Sequence, residues 1–151
     1  MSRVIHIVGA NILEKDGKFL LIQEGKAVPG VTGKWNFPAG KMDLREKIID
    51  CAAREAKEES GFEVKPEFLV SVFQHSDTRD GQDYDVMVFV FKSAILSGEL
   101  KQPDDEIMDL KWLTKEEIKE KLDAGELRRP FVYYAIEKYL NGENYSLELL
   151  N

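Results

Sequence analysis

Three glutamates in the first half of the chain have the types and the spacing that a metal-dependent reaction needs. Glu55, Glu58 and Glu59 stand at i, i+3 and i+4, so a helix through them gathers three carboxylates on one side. Carboxylates at so short a separation repel one another, and Arg54 is the neighbouring cation placed to offset their negative charge. A divalent cation would relieve the repulsion, because hard cations bind carboxylate oxygens. The spacing therefore predicts a metal site near the end of a helix.

The apolar face of the same helix leads into this acidic group. At about 100° per residue, Ile48, Cys51 and Ala52 share one face. Continued toward the end of the helix, that face becomes Glu55 and Glu59, with the third acid at its edge. An ordinary solvated helix is the alternative, but such a helix carries its acids on the side away from the apolar stripe. The pattern therefore favours acids with a function.

The longer segment 40–62 (GKMDLREKIIDCAAREAKEESGF) matches a known motif. Its fixed positions are Gly40, Glu46, Arg54, Glu55, Glu58, Glu59 and Gly61. These residues and their spacing resemble the Nudix box at every fixed position, and apolar Ala56 and Phe62 occupy slots that are more often Leu, Ile or Val. By this resemblance the chain is identified as a member of the Nudix hydrolase family, of the MutT-like kind.

The resemblance implies a fold and a chemistry. The expected fold is α/β, a Nudix α/β/α sandwich in which a mixed sheet has helices on both faces. The expected reaction is hydrolysis of a diphosphate linkage with Mg²⁺, or with Mn²⁺ in its place. The resemblance also implies that the Gly40 carbonyl completes a metal site with Glu55, Glu58 and Glu59. Arg54 and Glu46 are then expected to orient these acids.

A further acid is expected from a later loop, because many family members use one as a metal ligand or base. Asp104, Asp105 and Glu106 precede a short predicted strand. We choose Glu106, since family acids in that position commonly come just before an aliphatic-rich strand. Three solvated loop acids are the alternative.

Residues just before the motif are candidates for binding the rest of a substrate. Trp35 and Phe37 could stack on a base or ring, with Asn36 bonding to its edge and Lys34 contacting phosphate. The alternative is that alternating aromatics on a strand belong to the core.

Other polar residues receive simpler interpretations. His6 and His75 fall in separate strand-like segments, so we predict no metal pair and expect His6 to be a hydrogen-bonded sheet residue. Lys34, Lys26 and Arg79 could touch phosphates, although we expect each of them to be a surface cation. Residues 77–85 (DTRDGQDYD) resemble a calcium loop only in composition, and a hairpin loop explains them.

Composition limits the classes of protein. A chain of 151 residues, 43% hydrophobic and 32% charged, predicts one globular domain, 1–151. A net charge of −7 argues against duplex nucleic acid as a partner, whereas small polyphosphates can bind through cations. No long apolar run or N-terminal secretory pattern occurs, so we expect no membrane partner and a cytoplasmic location.

The rest of the sequence predicts the elements that position these residues. The predicted strands are 3–13, 19–23, 68–74, 84–91 and 107–113. The first two are expected to form a hairpin at Asp16-Gly17, and the next two are joined by a loop containing Asp80-Gly81. Residues 24–34, with three glycines and a proline, are expected to form a loop, followed by a turn at Pro38 and Gly40.

Three helices are predicted. The acidic helix is expected over 44–60, with Gly61 as its C-cap. Thr114 and Glu117 form a capping box that opens a helix to about residue 122. A last helix covers 130–140, and its expected buried side is Phe131, Tyr134, Ala135 and Tyr139.

The sequence thus predicts an enzyme that cleaves a nucleoside triphosphate or a related nucleoside diphosphate derivative. The family's subsite cues for ADP-sugars and dinucleoside polyphosphates are missing where Ser76, Asp77 and Thr78 stand, which weakens those substrates. One alternative is a thiamine-type or isoprenoid pyrophosphatase. Another is a non-catalytic, nucleotide-sensing Nudix domain, although such domains usually lose box acids that this chain keeps. The resemblance makes a homodimer plausible.

Overall fold

The computed structural model describes residues 3–26 and 29–151. Ala27 and Val28, within the predicted 24–34 loop, lie outside the described residues. The strands are β1 Val4–Ile12, β2 Glu14–Lys15, β3 Lys18–Glu24, β4 Trp35–Asn36, β5 Ala39–Lys41, β6 Phe62–Arg79, β7 Gln82–Gly98 and β8 Ile107–Leu113. The helices are α1 Ile48–Ser60, α2 Lys115–Asp123 and α3 Phe131–Leu140, followed by a 3₁₀ turn at Leu147–Leu150.

The strands form two four-stranded sheets. The first has the order β5-β1-β7-β6, with β1 and β7 parallel and the other neighbours antiparallel. In the second, β3 pairs with β2, β4 and β8. Helix α1 covers the face of the first sheet that holds Gly9, because a Cβ there would lie 2.9 Å from the Ala52 nitrogen. Helix α3 covers the other face, where Phe131 stacks on Phe73. The predicted mixed sheet with helices on both faces is confirmed.

The predicted hairpin between the first two strands is wrong, because the first strand pairs with other strands. Strand β1 pairs with β5 and β7 and not with β3, and the hairpin across Asp16-Gly17 is formed by the short β2 with β3. The chain passes from one sheet to the other at Leu13, which is fully buried. The reason is that β1 is covered on both faces, so its pairing depends on distant strands rather than on the nearest one.

Both Asp-Gly signals mark tight turns, as predicted. Asp16 and Gly17 have φ of 53° and 76°, and Asp80 and Gly81 have 50° and 75°. Two successive positive φ values match the twist of a two-residue hairpin. The second turn joins β6 and β7, which are far longer than the predicted 68–74 and 84–91 because register shifts let β6 bend without ending.

Helix α1 begins at Ile48, four residues later than predicted. Residues 42–47 instead form a loop in which Arg45 has a φ of 66° and the Glu46 carboxylate accepts from the Asp43 N–H at 3.0 Å. Leu44, expected inside the helix, is 91% exposed. The helix ends at Gly61 in the left-handed conformation, as predicted.

The other helices agree with the sequence in extent. The Thr114–Glu117 capping box is present in both directions. In α3 the prediction for Tyr134 is wrong, since it is 47% exposed whereas Tyr133 is 8% exposed. The buried stripe of α3 is turned by one residue, because its Val132–Tyr133–Ile136 side packs against the core. Across the described residues, no helix is long and apolar enough to cross a membrane.

Candidate active site

A cleft of about 350 Å³ lies on the face of the first sheet that carries alternate residues of β1, β6 and β7. Its charged lining consists of Glu24, Glu55, Glu59, Glu106, Asp77, Lys41, Arg79, Arg128 and Arg129. Its uncharged lining includes His6, His75, Tyr84, Asn36, Val8, Val86, Val88, Ile107 and Phe131. Three predicted acids, Glu55, Glu59 and Glu106, therefore face one space.

Strand β5 holds two of the acids through close backbone contacts. A Cβ on Gly40 would lie 2.1 Å from the carboxyl carbon of Glu55, so only glycine leaves room for this carboxylate. One residue earlier, the Ala39 N–H donates to the Glu59 carboxylate at 2.7 Å. The predicted turn at this point is a short strand paired with β1, and that pairing fixes both contacts.

Arg54 orders the acids on the outer side of α1. Its Nε and Nη2 donate to the two carboxylate oxygens of Glu46 at 2.8 and 2.9 Å. Its Nη1 donates to Glu55 at 2.8 Å and to both oxygens of Glu58 at 3.3 Å. The bidentate bond lowers the pKa of Glu46 to about 2, chiefly through hydrogen bonding by Arg54. This is the geometry expected of residues that orient the acids.

The acids inside the cleft have the opposite electrostatics. Burial raises the pKa of Glu59 well above its usual value, although the Ala39 N–H opposes the shift, and Glu24 and Glu55 raise it further. Burial likewise raises the pKa of Glu55, against the pull of Arg54. Buried carboxylates with carboxylate neighbours are costly to ionise, so a cation at this end of the cleft would be stabilising.

The donor chemistry fits a divalent cation, but the donors are not yet gathered around one point. Among residues 3–26 and 29–151, no three Asp, Glu, His or Cys side chains form a metal site as they stand. Arg54 separates Glu55 from Glu58, and Glu59 is bonded to backbone. Glu58 does not line the cleft, because its side chain is 56% exposed and both of its carboxylate oxygens accept from Arg54 at 3.3 Å.

Most of the residues predicted to bind substrate do not face the cleft. Phe37 is fully buried and Trp35 is 4% exposed, so neither ring has a face for a ligand, and their stacking role is wrong. Trp35 lies between the ammonium groups of Lys121 and Lys111, at 4.8 and 5.6 Å from its centroid. Lys34 donates to the Gly125 carbonyl and does not line the cleft. The core alternative for the two aromatics is the correct one, because β4 pairs inside the second sheet.

Asn36 does line the cleft, although its Oδ1 is occupied. That oxygen accepts from the Phe37 N–H at 2.8 Å.

Several cleft residues were missed by sequence reasoning. Arg79 and Arg129 both donate to Oδ2 of Asp77, at 3.1 and 2.9 Å. Arg128 donates to Glu24 at 3.1 Å. The sequence shows only an unbroken polar run over 74–80, and the strand geometry of β6 places 75, 77 and 79 on one face. Arg79, expected to be a surface cation, instead lines the cleft.

The expectation for His6 is also wrong. Its Nε2 is buried and has no hydrogen-bond partner among the residues that the structure describes, and its ring stacks on Tyr84 with centroids 5.1 Å apart. His6 and His75 both pair in register with Val86, so only one strand separates them. No tight metal group of His, Cys, Asp and Glu includes either of them within the described part of the chain.

Comparison with known proteins agrees with this geometry. Residues 5–134 match the NUDIX domain family. The chain is 32% identical over 149 residues to the Escherichia coli protein "Phosphatase NudJ", covering 96% of this chain and 90% of that protein. The chain therefore belongs to the Nudix family, and it is a hydrolase of phosphorus-containing anhydrides.

Solved structures share the fold. A NUDIX hydrolase from Nitrosomonas europaea superposes with a TM-score of 0.80 at 30% identity, covering 97% of this chain and 95% of that one. A MutT protein from Bacillus halodurans has a TM-score of 0.71 at 26% identity, covering 93% and 85%. Similarity over nearly the whole length places the cleft within the shared fold, not on an added segment.

Proposed function

We propose that this protein is a Mg²⁺-dependent pyrophosphohydrolase that cleaves the phosphate chain of a nucleoside triphosphate or a related nucleoside diphosphate derivative. The observation that carries the proposal is a single cleft whose lining contains the acids Glu55, Glu59 and Glu106 together with guanidinium groups, those of Arg79, Arg128 and Arg129. Carboxylates suit a metal-bound phosphate chain, and guanidinium groups suit the acceptor atoms of an organic group.

The metal ligands we assign are Glu55, Glu58, Glu59 and Glu106, with the Gly40 carbonyl. Mg²⁺ held there supplies charge neutralisation and an activated water for attack on phosphorus, and Mn²⁺ can replace it. The support from this chain is that burial raises the pKa of Glu55 and Glu59, so a bound cation would stabilise their charged forms.

The protein's own part is to hold these groups in position. Strand β5 seats Glu55 against Gly40 and holds Glu59 through the Ala39 N–H. Arg54, fixed by Glu46, steadies Glu55 and Glu58 without entering the cleft lining. On the other wall the Glu106 carbonyl accepts from the Gly25 N–H at 2.7 Å, so the 24–26 backbone supports this residue.

A second product pattern follows from a relative's name. The Escherichia coli relative is called a phosphatase, which favours release of a terminal orthophosphate.

A ring-bearing diphosphate without a nucleoside, such as a thiamine-type pyrophosphate, also fits a cleft of this volume. We place nucleoside triphosphates first because the cleft carries separate acidic and basic ends for a long substrate.

The test is a substrate panel with metal control. EDTA-treated protein is assayed with nucleoside triphosphates, nucleotide sugars and thiamine-type pyrophosphates, with Mg²⁺, Mn²⁺ or no metal. Orthophosphate and pyrophosphate are measured separately, and Glu59→Gln prepared in parallel controls for contaminating hydrolases. We expect Mg²⁺-dependent turnover of a triphosphate to monophosphate and pyrophosphate. Activity that survives full chelation removes the metal mechanism, and a clear preference by kcat/KM for a substrate without a nucleobase removes the nucleotide assignment.

A further inference from the structure

The end of the cleft far from the acids contains a built recognition site. We propose that Arg79 and Arg129, held as a pair by Asp77, donate hydrogen bonds to acceptor atoms on the edge of a planar ring. Bases with an oxo group at that edge are then preferred over bases with an amino group at the same position. Arg79 and Arg129 are specificity residues in this proposal, and Asp77 is a positioning residue. The inference rests on the proposed function, since it names the kind of nucleotide.

The arginine pair is fixed from two distant parts of the chain. Asp77 and Arg79 belong to β6, whereas Arg129 lies 52 residues later, just before α3. One oxygen of Asp77 accepts from both guanidinium groups, and the other accepts from the Thr78 N–H at 2.8 Å. A guanidinium carries five N–H donors in a fixed plane, so one bond to Asp77 orients each group without exhausting its donors.

The walls beside the pair suit a flat ring. His6 and Tyr84 stack at an interplanar angle of 18° and line the cleft together with Val86 and Phe131. An apolar and aromatic lining with a few fixed polar groups is typical of a site for an organic ring. The buried Nε2 of His6 lacks a partner among the described residues, which is costly unless a ligand supplies one.

The charge at this end also favours a ring over a second phosphate. Asp77 offsets one of its two arginines, and Glu24 offsets Arg128. The trio of Arg79, Arg129 and Asp77 therefore carries a formal charge of +1, from two guanidinium groups and one carboxylate. A single positive charge beside apolar walls fits neutral acceptor atoms better than a hydrated dianion, which is costly to desolvate.

The two ends of the cleft are separated both across the sheet and along its strands. The acids contact β5, whereas the arginine pair is on β6 and beside it, at the other side of the same sheet. Three strand intervals separate β5 from β6, which is about 14 Å across the sheet. The register adds a displacement along the strands, because Gly40 pairs with Gly9 whereas Asp77 is in line with Val4 through Tyr84. A ligand that reaches both ends is therefore extended, with its phosphate chain at the acids and its ring at the arginines.

The expected selectivity follows from the donors. Guanidinium groups only donate, so they pair with the O6 and N7 acceptors of a 6-oxopurine and with the O4 of uracil. The exocyclic amino group of adenine or cytosine presents another donor at the same position. GTP should therefore exceed ATP, and UTP should exceed CTP, by a factor on the order of 10 in kcat/KM.

Variants separate recognition from chemistry. Arg129→Lys keeps the charge and the ion pair with Asp77 but loses the planar fork, and Asp77→Asn releases both arginines. Each should reduce the GTP/ATP ratio toward one, mainly by raising KM for GTP, while kcat stays within about twofold because the acids are untouched. Asp77→Glu should restore part of the ratio. Asp123→Asn is the matched control, since Asp123 forms an exposed ion pair with Lys119 on α2, outside the cleft.

Binding of GMP and AMP to metal-free protein, measured by calorimetry, tests the subsite without turnover. We expect tighter binding of GMP, and loss of that difference in Asp77→Asn and Arg129→Lys. A wild-type ratio near one in both assays overturns the inference, as does a ratio that the two variants leave unchanged. If no nucleotide is hydrolysed but the GMP preference and its dependence on Asp77 persist, the proposed reaction fails and the ring subsite stands.

Discussion

The Glu55 carboxylate rests directly against the Cα of Gly40, where a Cβ would lie 2.1 Å from its carboxyl carbon. This contact joins the first glycine of the box to Glu55, the first of its proposed metal ligands, across the edge of the sheet. Gly40 has no need of a positive φ, so its role is to allow this approach and not to make a turn.

Gly40→Ala should therefore disable the site more than the fold. The added methyl group displaces Glu55 from β5, and we expect kcat to fall by a factor on the order of 10². Steady-state kinetics with Mg²⁺ titration measures the effect. Gly17→Ala is the control, because it strains a positive-φ turn outside the cleft and should lower Tm without changing kcat. Equal effects of the two variants on Tm and kcat would contradict a specific contact.

Glu58→Gln and Glu59→Gln should each lower kcat by a factor on the order of 10² or more, because charge that stabilises the reacting phosphate is lost. Folding should be retained, since each change removes one of several neighbouring carboxylates. Turnover and Tm are measured in parallel, with exposed Glu120→Gln on α2 as the control. Wild-type turnover in both Glu58→Gln and Glu59→Gln would show that the site is elsewhere.

Arg54→Lys should raise the Mg²⁺ concentration needed for half-maximal rate. Lysine keeps the charge but cannot make the two-point bond to Glu46 while also donating to Glu55 and Glu58. The acids then lose their orientation, which weakens metal binding. The comparison is the apparent Mg²⁺ constant at saturating substrate. An unchanged apparent Mg²⁺ constant would mean that Arg54 is a surface cation without an orienting role.

The stability of metal-free protein should depend on pH in a way set by Glu59. Its pKa is raised well above 4.5 by burial, so the folded state holds a proton that the unfolded state releases. The contribution of Glu59 to the free energy of unfolding should therefore be largest below pH 4.5 and should decrease as pH rises through the pKa of the folded state. Glu59→Gln should flatten this decrease in a Tm series measured in EDTA.

Glu46 produces the opposite dependence and provides an internal comparison. Its pKa is lowered to about 2, so its contribution is present above pH 4.5 and is lost as pH falls toward 2. If the decrease in Tm above pH 4.5 persists in Glu59→Gln, that decrease belongs to another group.

Local spacing determined much of this protein. The i, i+3 and i+4 glutamates required only helical geometry to share a side, and the Thr114–Glu117 capping box required only three residues of separation. The two Asp-Gly turns depended on backbone freedom at adjacent residues. Box membership followed from the same short-range pattern and is confirmed by the match over residues 5–134.

Long-range packing decided the rest. Trp35 and Phe37 have the residue types of a stacking platform, but both are buried in the main core cluster with side chains from distant parts of the sequence, such as Val132. The partner of β1 was decided by strands 80 residues away in the chain, since Val4 pairs with Tyr84. Similarly, Asp77 meets Arg129 only because α3 lies over β6. Sequence spacing carries no signal for such contacts, because their energy depends on which surfaces the whole fold brings together.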